Sequence, residues 1–323
     1  MRRLLAARAA QAVLVVVIVA TVVFALTHLA PGDPFAAAVE SGNVRPDVRD
    51  ALRVRYGFDR PIPEQYVMYL RNLARGDFGW SFSRGRPVAS ALATAVPNTL
   101  LLMSTALLFS IALGVAAGLL QAARRDSAID RGSSALLLIF YSTPDFWLAL
   151  MMMLAFAYAL PVFPVSGMVD PVMHEYLGTW GRIVDRARHL VLPATTLTLL
   201  ITAAIARHQR AALLDAARSD YTRTARAKGL SDGAVLLRHT LRNSLGTTIT
   251  LVGLLFPALL GGAVLVETVF AWPGMGQLAT SAITTRDYSL VTAAAVIGAM
   301  MTVTGSAIAD VLTAVADPRL RDR

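Results

Sequence analysis

Six apolar stretches, at about 10–30, 97–120, 133–160, 190–207, 246–270 and 289–315, alternate with polar connectors. Most reach the ~20 residues that cross a bilayer core. The pattern predicts an all-α polytopic membrane protein with six transmembrane helices. Arg2, Arg3 and Arg8 precede the first apolar core, Ala12 to Leu26, as they would in a signal peptide. That core is at the upper limit for a signal h-region, and "THLAPGDP" is a poor cleavage site, so this segment reads as an uncleaved anchor.

Between the first two spans, residues 31–96 follow another rhythm. "PDVRDALRVRYGF" and "PEQYVMYLRNL" place apolar residues three or four apart, as amphipathic helices do. "RPIPEQ" and "RGDFGWSFSRGRP" separate them with turn residues. The expectation is a small ordered extracytoplasmic cap, acting as a structural lid or as a docking site for a soluble partner.

Composition supports the membrane reading: 55% of the 323 residues are hydrophobic and 16% charged, against roughly 25% charged in a soluble domain. The net charge of +9 raises nucleic acid as a partner. The arginines are spread over several loops, however, which fits cytoplasmic connectors facing lipid headgroups and gives no nucleic-acid footprint. With no cysteine, disulfides and thiolate chemistry are excluded. Three Lys or Arg lie at the N-terminus, three in 121–132, eight over 207–245 and three at the C-terminal end: 17 on one side of the membrane. The opposite short loops, 161–189 and 271–288, hold 4. Both termini are therefore expected in the cytoplasm, with residues 316–323 as a cytoplasmic tail.

The most basic connector is "DYTRTARAKGLSDGAVLLRHTLRNSL", within a loop expected over 208–245; its Lys228 is the only lysine in the chain. "TARAKG" reads as a helix end, with basic side chains at the negative dipole terminus and Gly229 at a left-handed stop. Ser231 is a natural N-cap of a second helix, and Leu230 and Val235 suit a hydrophobic staple. Arg238 and Arg242 share one face, with Leu237 and Leu241 beside it. The expectation is a rigid helix–turn–helix lying against the membrane. It would be either an interfacial hairpin on anionic lipid or a knob gripped by a cytoplasmic partner.

Catalytic signatures are missing from the sequence. A P-loop needs lysine after its glycine run, whereas Lys228 precedes Gly229. The five histidines have no i, i+4 pairing, and HExxH and GxSxG do not occur. No metal site, catalytic residue or bound cofactor is expected. Asp145, after Pro144 in "YSTPDFWLAL", is either a pathway group or a kink stabiliser. Glu267 and Asp310, toward the ends of their spans, read first as interfacial charges, with Glu267 kept as a pathway candidate. Gly114 and Gly118 form a GxxxG in span two. Gly253, Pro257, Gly261 and Gly262 make span five a close-packed helix or a flexible gate. Met151 to Met153 reads as core filler.

The chain resembles the first of the two permease subunits of dipeptide/oligopeptide/nickel-class ABC importers. The likeness rests on "HLAPGDPF", "RYGFDRPIPEQY", "GDFGWSFSRGRPV", "TPDFWLAL", "VETVFAWPGMGQL", "DPRLR" and above all the basic hairpin, in order along the whole chain. It implies the type I importer permease fold in a bacterial inner membrane. It also implies a second homologous permease forming a heterodimer, two ATP-binding subunits that bind ATP and Mg, and an extracytoplasmic solute-binding protein. Tyr221, Arg223, Ala225, Arg226, Lys228, Gly229 and Leu241 would form the ATPase-coupling loop, and 97–315 the permease core. Arg223-Thr224-Ala225 and Leu241-Arg242 stand where the general motif has Glu-Ala-Ala and Leu-Pro. Peptides are the favoured cargo, with nickel chelates, glutathione or oligosaccharides as alternatives. A stand-alone secondary transporter or channel using Asp145, or a non-transporting scaffold, remains open from the residues alone.

Overall fold

The structure, a computed structural model, describes residues 2–29, 54 and 59–316; for 2–5, 7, 247, 253–262 and 312–316 it describes the backbone only. Apart from residues 54 and 316, the expected helix at 46–58 and the expected tail at 316–323 lie outside the described residues. The chain divides into two compact units, residues 1–99 with 273–304, and residues 100–272 with 305–323.

In the first unit, α1 (Arg2–Leu29) leaves most of its apolar side chains exposed, including Val13, Leu14 and Leu26, as a helix facing lipid would. The amphipathic stretch after Pro61 folds as α2 (Ile62–Ala74). Phe24 of α1 lies 5.2 Å from the ring of Tyr66 and stacks on Tyr69 at 5.5 Å. Hydroxyls of Thr21 and Tyr66 meet at 2.6 Å. A two-residue hairpin follows, β1 (Trp80–Ser81) against β2 (Arg86–Pro87). The start of α3 (Val88–Ala123) then packs Val88, Leu92 and Ala95 against Met275 and Leu278 of α10 (Met275–Thr284) and Leu290 of α11 (Tyr288–Ala316). Helix α10 falls where the sequence suggested only a loop; Met275, Leu278 and Ala282 supply its buried stripe.

The second unit is organised by α6 (Thr179–Ala217), the most deeply buried of the four long apolar helices among the described residues. Here α3 comes close: a Cβ on Gly114 would sit 2.6 Å from the Ile205 side chain, and one on Gly118 would sit 2.9 Å from the Ala206 carbonyl. The GxxxG is thus a close-packing device. The expected third span is not one straight helix. It divides into α4 (Ala128–Ser142) and α5 (Asp145–Met153, extended by a π-helical turn, Leu154–Ala159), bent by 104°. Pro144 N-caps α5 in extended conformation, and Pro lacks the N–H that would continue α4. Leu102, Leu192, Leu197, Val266, Phe270 and Trp272 fill the core. Helix α6 overruns the expected span 190–207 in both directions, so the first residues of the expected loop are helical. Among the described residues, four helices are long and apolar enough to cross a membrane, and the bent pair makes a fifth candidate. The expected span at 246–270 lies on α9 (Leu241–Val269).

Candidate functional site: the basic hairpin and its anchor

The hairpin begins where α6 stops. Ser219 Oγ and Thr222 Oγ1 both donate to the Ala216 carbonyl, at 2.6 and 2.7 Å, closing the frayed end. Helix α7 (Asp220–Ala227) buries Thr222 and Ala225 and exposes Tyr221, Arg223 and Arg226, and Lys228 at its C-cap is exposed as well. Its end is a Schellman motif: Gly229 N–H donates to the Arg226 carbonyl at 2.9 Å and Leu230 N–H to that of Ala225 at 3.4 Å. Gly229 has φ +82°, and a Cβ at that position would meet nothing within 4 Å. The backbone sign, not crowding, requires glycine there. Ser231 caps α8 (Asp232–Val235), its Oγ accepting from Ala234 N–H at 3.4 Å. Arg226 Nε bonds Asp232 Oδ1 across the turn at 3.1 Å. The stop and the cap therefore stand as the spacing predicted.

The second arm departs from the expected phase. A π-helical turn, Leu236–Thr240, joins α8 to α9. The wider turn buries Val235, Thr240 and Ser244 and leaves Leu237 exposed, so Leu237 and Leu241 do not form one packed stripe. Leu241 is half-buried, and its carbonyl accepts from Ser244 Oγ at 3.0 Å.

Beneath the hairpin lies a polar anchor that sequence reading missed. Gln209 of α6 has no exposed surface. Its Nε2 donates to Ser244 Oγ at 2.7 Å, and its Oε1 accepts from Thr248 Oγ1. The next residue, Arg210, grips Asp130 of α4 with Nε at 3.0 Å and Nη2 at 2.7 Å. The signal was a Gln inside the otherwise apolar stripe of "AIARHQRAALL". A groove of about 370 Å³ opens alongside, lined by His208, Asp215, Tyr221, Asn243 and Ser244, among others.

The remaining candidates are apart from this cluster. Asp145 is half-buried in the first turn of α5, at the positive end of its dipole. Glu267 is fully buried, so it is not a solvent-exposed charge at the helix end. Asp310 is half-buried. Gly253 and Pro257 lie on α9, and their side-chain surroundings are outside the described residues. Another unforeseen cluster sets Asp185 between His174 Nδ1, at 2.6 Å, and His189 Nδ1, at 3.2 Å. Asp170 caps the adjoining loop through Met173 and Val172 N–H groups; these hold its carboxyl below the usual carboxylate range.

Long apolar helices, one of them bent, carrying a rigid exposed basic hairpin on a polar anchor define a membrane transport permease. The chain belongs to the family of binding-protein-dependent transport system inner membrane components, whose model matches residues 110–322. The N-terminal model of the same membrane components matches residues 1–103. The chain is 38% identical to the oligopeptide transport system permease protein AppB of Bacillus subtilis (strain 168) over 298 residues, 92% of each protein. It is 37% identical to the di/tripeptide transport system permease protein DppB of Pseudomonas aeruginosa (strain UCBPP-PA14), again over 92% of each. It is a multi-pass inner-membrane protein and a transport subunit, not an enzyme.

Proposed function

We propose that this chain forms half of the translocation pathway of an ATP-driven importer, with peptides as cargo. The other half is a second, homologous permease. Two ATPase subunits bind ATP and Mg, and an extracytoplasmic binding protein delivers the solute. Both termini and the hairpin face the cytoplasm, in line with the 17-to-4 distribution of Lys and Arg, and residues 31–96 lie outside. ATP binding closes the ATPases on Tyr221, Arg223, Arg226 and Lys228, and the helices rock between inward-open and outward-open states. Asp145, Glu267, Gly253 and Pro257 remain the candidates for the pathway and gate.

The observation that carries this reading is the hairpin's construction. Its turn is fixed at Gly229 and Ser231, while its cationic side chains stay exposed. A floppy connector would absorb a partner's motion; a doubly capped one transmits it. The peptide assignment draws on the names of the two relatives.

The test is reconstitution with the partner subunits in proteoliposomes. ATP-dependent uptake of labelled di- and tripeptides is expected only with the full set. Uptake by this chain alone, driven by an ion gradient, would sink the proposal.

A further inference from the structure

The sequence permits a simpler anchor than the one observed. Ser244 Oγ–H already donates to the Leu241 carbonyl at 3.0 Å, and a leucine or methionine at position 209 would fill a similar volume. Instead a fully buried amide occupies the site, although burying such a group is costly unless it is bonded. Both ends of that amide are satisfied by α9: Nε2–H to Ser244 and Oε1 from Thr248. Apolar contacts tolerate sliding, whereas paired hydrogen bonds four residues apart fix one register of α9 against α6. One residue on, Arg210 makes a two-pronged bond to the buried carboxylate of Asp130 on α4.

On the importer reading above, we propose that Gln209 is a positioning residue for coupling. It joins α6 to the foot of α9, so a pull on the hairpin reaches both helices, and α4 through Arg210, as one block. Ser244 lines the groove under Tyr221, which puts this joint immediately behind the exposed face of α7. The hairpin is thereby held at both ends: through Ala216 where it leaves α6, and through Gln209 where it enters α9.

The chain has no cysteine, so two can be introduced as unique spin-label sites. Gly233→Cys on α8 and Gly132→Cys on α4 suit this, because a Cβ at either meets nothing within 4 Å. Distances would be measured in the complete complex with cysteine-free partners, nucleotide-free and trapped with ATP and vanadate. The parent should give one narrow distance in both states. Gln209→Leu should broaden that distance and make it shift with nucleotide. ATP hydrolysis should continue while its stimulation by the loaded binding protein falls about 30-fold, the effect of losing two net hydrogen bonds. A merely structural role would lower the amount of complex without changing that stimulation ratio. Adding Thr248→Val to Gln209→Leu should cost nothing further, since the bond is already gone. A parental distance that shifts with nucleotide, an unchanged distance in Gln209→Leu, or additive losses would overturn the proposal. Should Gln209→Leu fail to assemble, Thr248→Val alone, which removes one of the two bonds, is held to the same criteria. A parent complex that never traps nucleotide would instead overturn the importer reading, and this inference with it.

Discussion

Two short connections in this protein are held rigid by opposite means. The β1–β2 hairpin of the first unit depends on one carboxylate. Asp287, only 3% exposed, accepts from Ser81 Oγ at 2.7 Å, Ser83 Oγ at 2.8 Å and Ser83 N–H at 3.0 Å through one oxygen. Its other oxygen caps α11 at Leu290 N–H. The basic hairpin of the second unit depends instead on many separate bonds, most of them neutral: those of Ser219, Thr222, Gly229, Ser231, Gln209 and Thr248, with charged pairs at Arg226–Asp232 and Arg210–Asp130. A buried charge concentrates strength and fails all at once when removed. Distributed bonds fail piece by piece, so each can be altered while the element persists. That suits a segment proposed to move.

The contrast is broken most directly at Asp287. Asp287→Ala leaves four donors without an acceptor in a buried site, and should destabilise the first unit by about 3–5 kcal/mol. Thermal unfolding of the purified protein in detergent measures this; a loss below about 1 kcal/mol, the worth of a single net hydrogen bond, would mean that the hairpin has other support. The next largest effect is expected at the charged bond in the second unit's anchor. Arg210→Leu strands Asp130, which is 4% exposed, but Arg210 itself is 30% exposed. The cost should therefore be a screened one of about 2–3 kcal/mol. Asp130→Asn in the same background should recover part of it, and failure to recover would show that packing, not charge, set the loss.

At Gly229 the effect on stability should be smaller and that on coupling larger. A β-branched side chain at φ +82° strains the backbone by about 1–3 kcal/mol. Gly229→Val should leave the helices folded while uncoupling ATP hydrolysis from uptake, and Gly229→Ala should fall between it and the parent. Normal solute uptake per ATP in the valine variant would show that the turn need not be rigid.

The two hairpins also differ in how far the sequence announced them. Gly229 and Ser231 were legible because a helix stop and an N-cap depend on the next few residues only. Asp287 and Ser81 are 206 positions apart, and no local pattern links them. Gln209 to Ser244 spans 35 positions, and a Gln in an apolar stripe tells of a partner without saying which. The spans themselves were readable from length and apolarity. At Pro144 the break could be foreseen but its 104° angle could not, because packing of α4 and α5 against neighbours sets it. Helix α10 was hidden by "WPG" turn chemistry, although Met275, Leu278 and Ala282 carried its helical spacing.

The smallest expected effect separates a polar group that anchors from one that does not. Tyr69 stacks on Phe24, yet its hydroxyl is buried without a hydrogen-bond partner among the described residues. Burial, assisted by the neighbouring Tyr66, raises its pKa from 10.0 to about 12. The neutral phenol is thus the form the fold accepts, and its contribution is complete below pH 10 and lost as pH rises through about 12. Tyr69→Phe keeps the ring and removes an unsatisfied hydroxyl, so at about pH 8 it should be neutral or stabilising by up to about 1 kcal/mol. Between pH 10 and about 12 the parent must either keep a proton that solvent would take or bury a phenolate, and the Phe variant does neither. Its advantage in melting temperature should therefore grow across that window and be flat below it. If the parent proves more stable near neutral pH, the hydroxyl has a bonding role like that of the residues around Asp287; a flat difference across the whole range would mean that water reaches Tyr69.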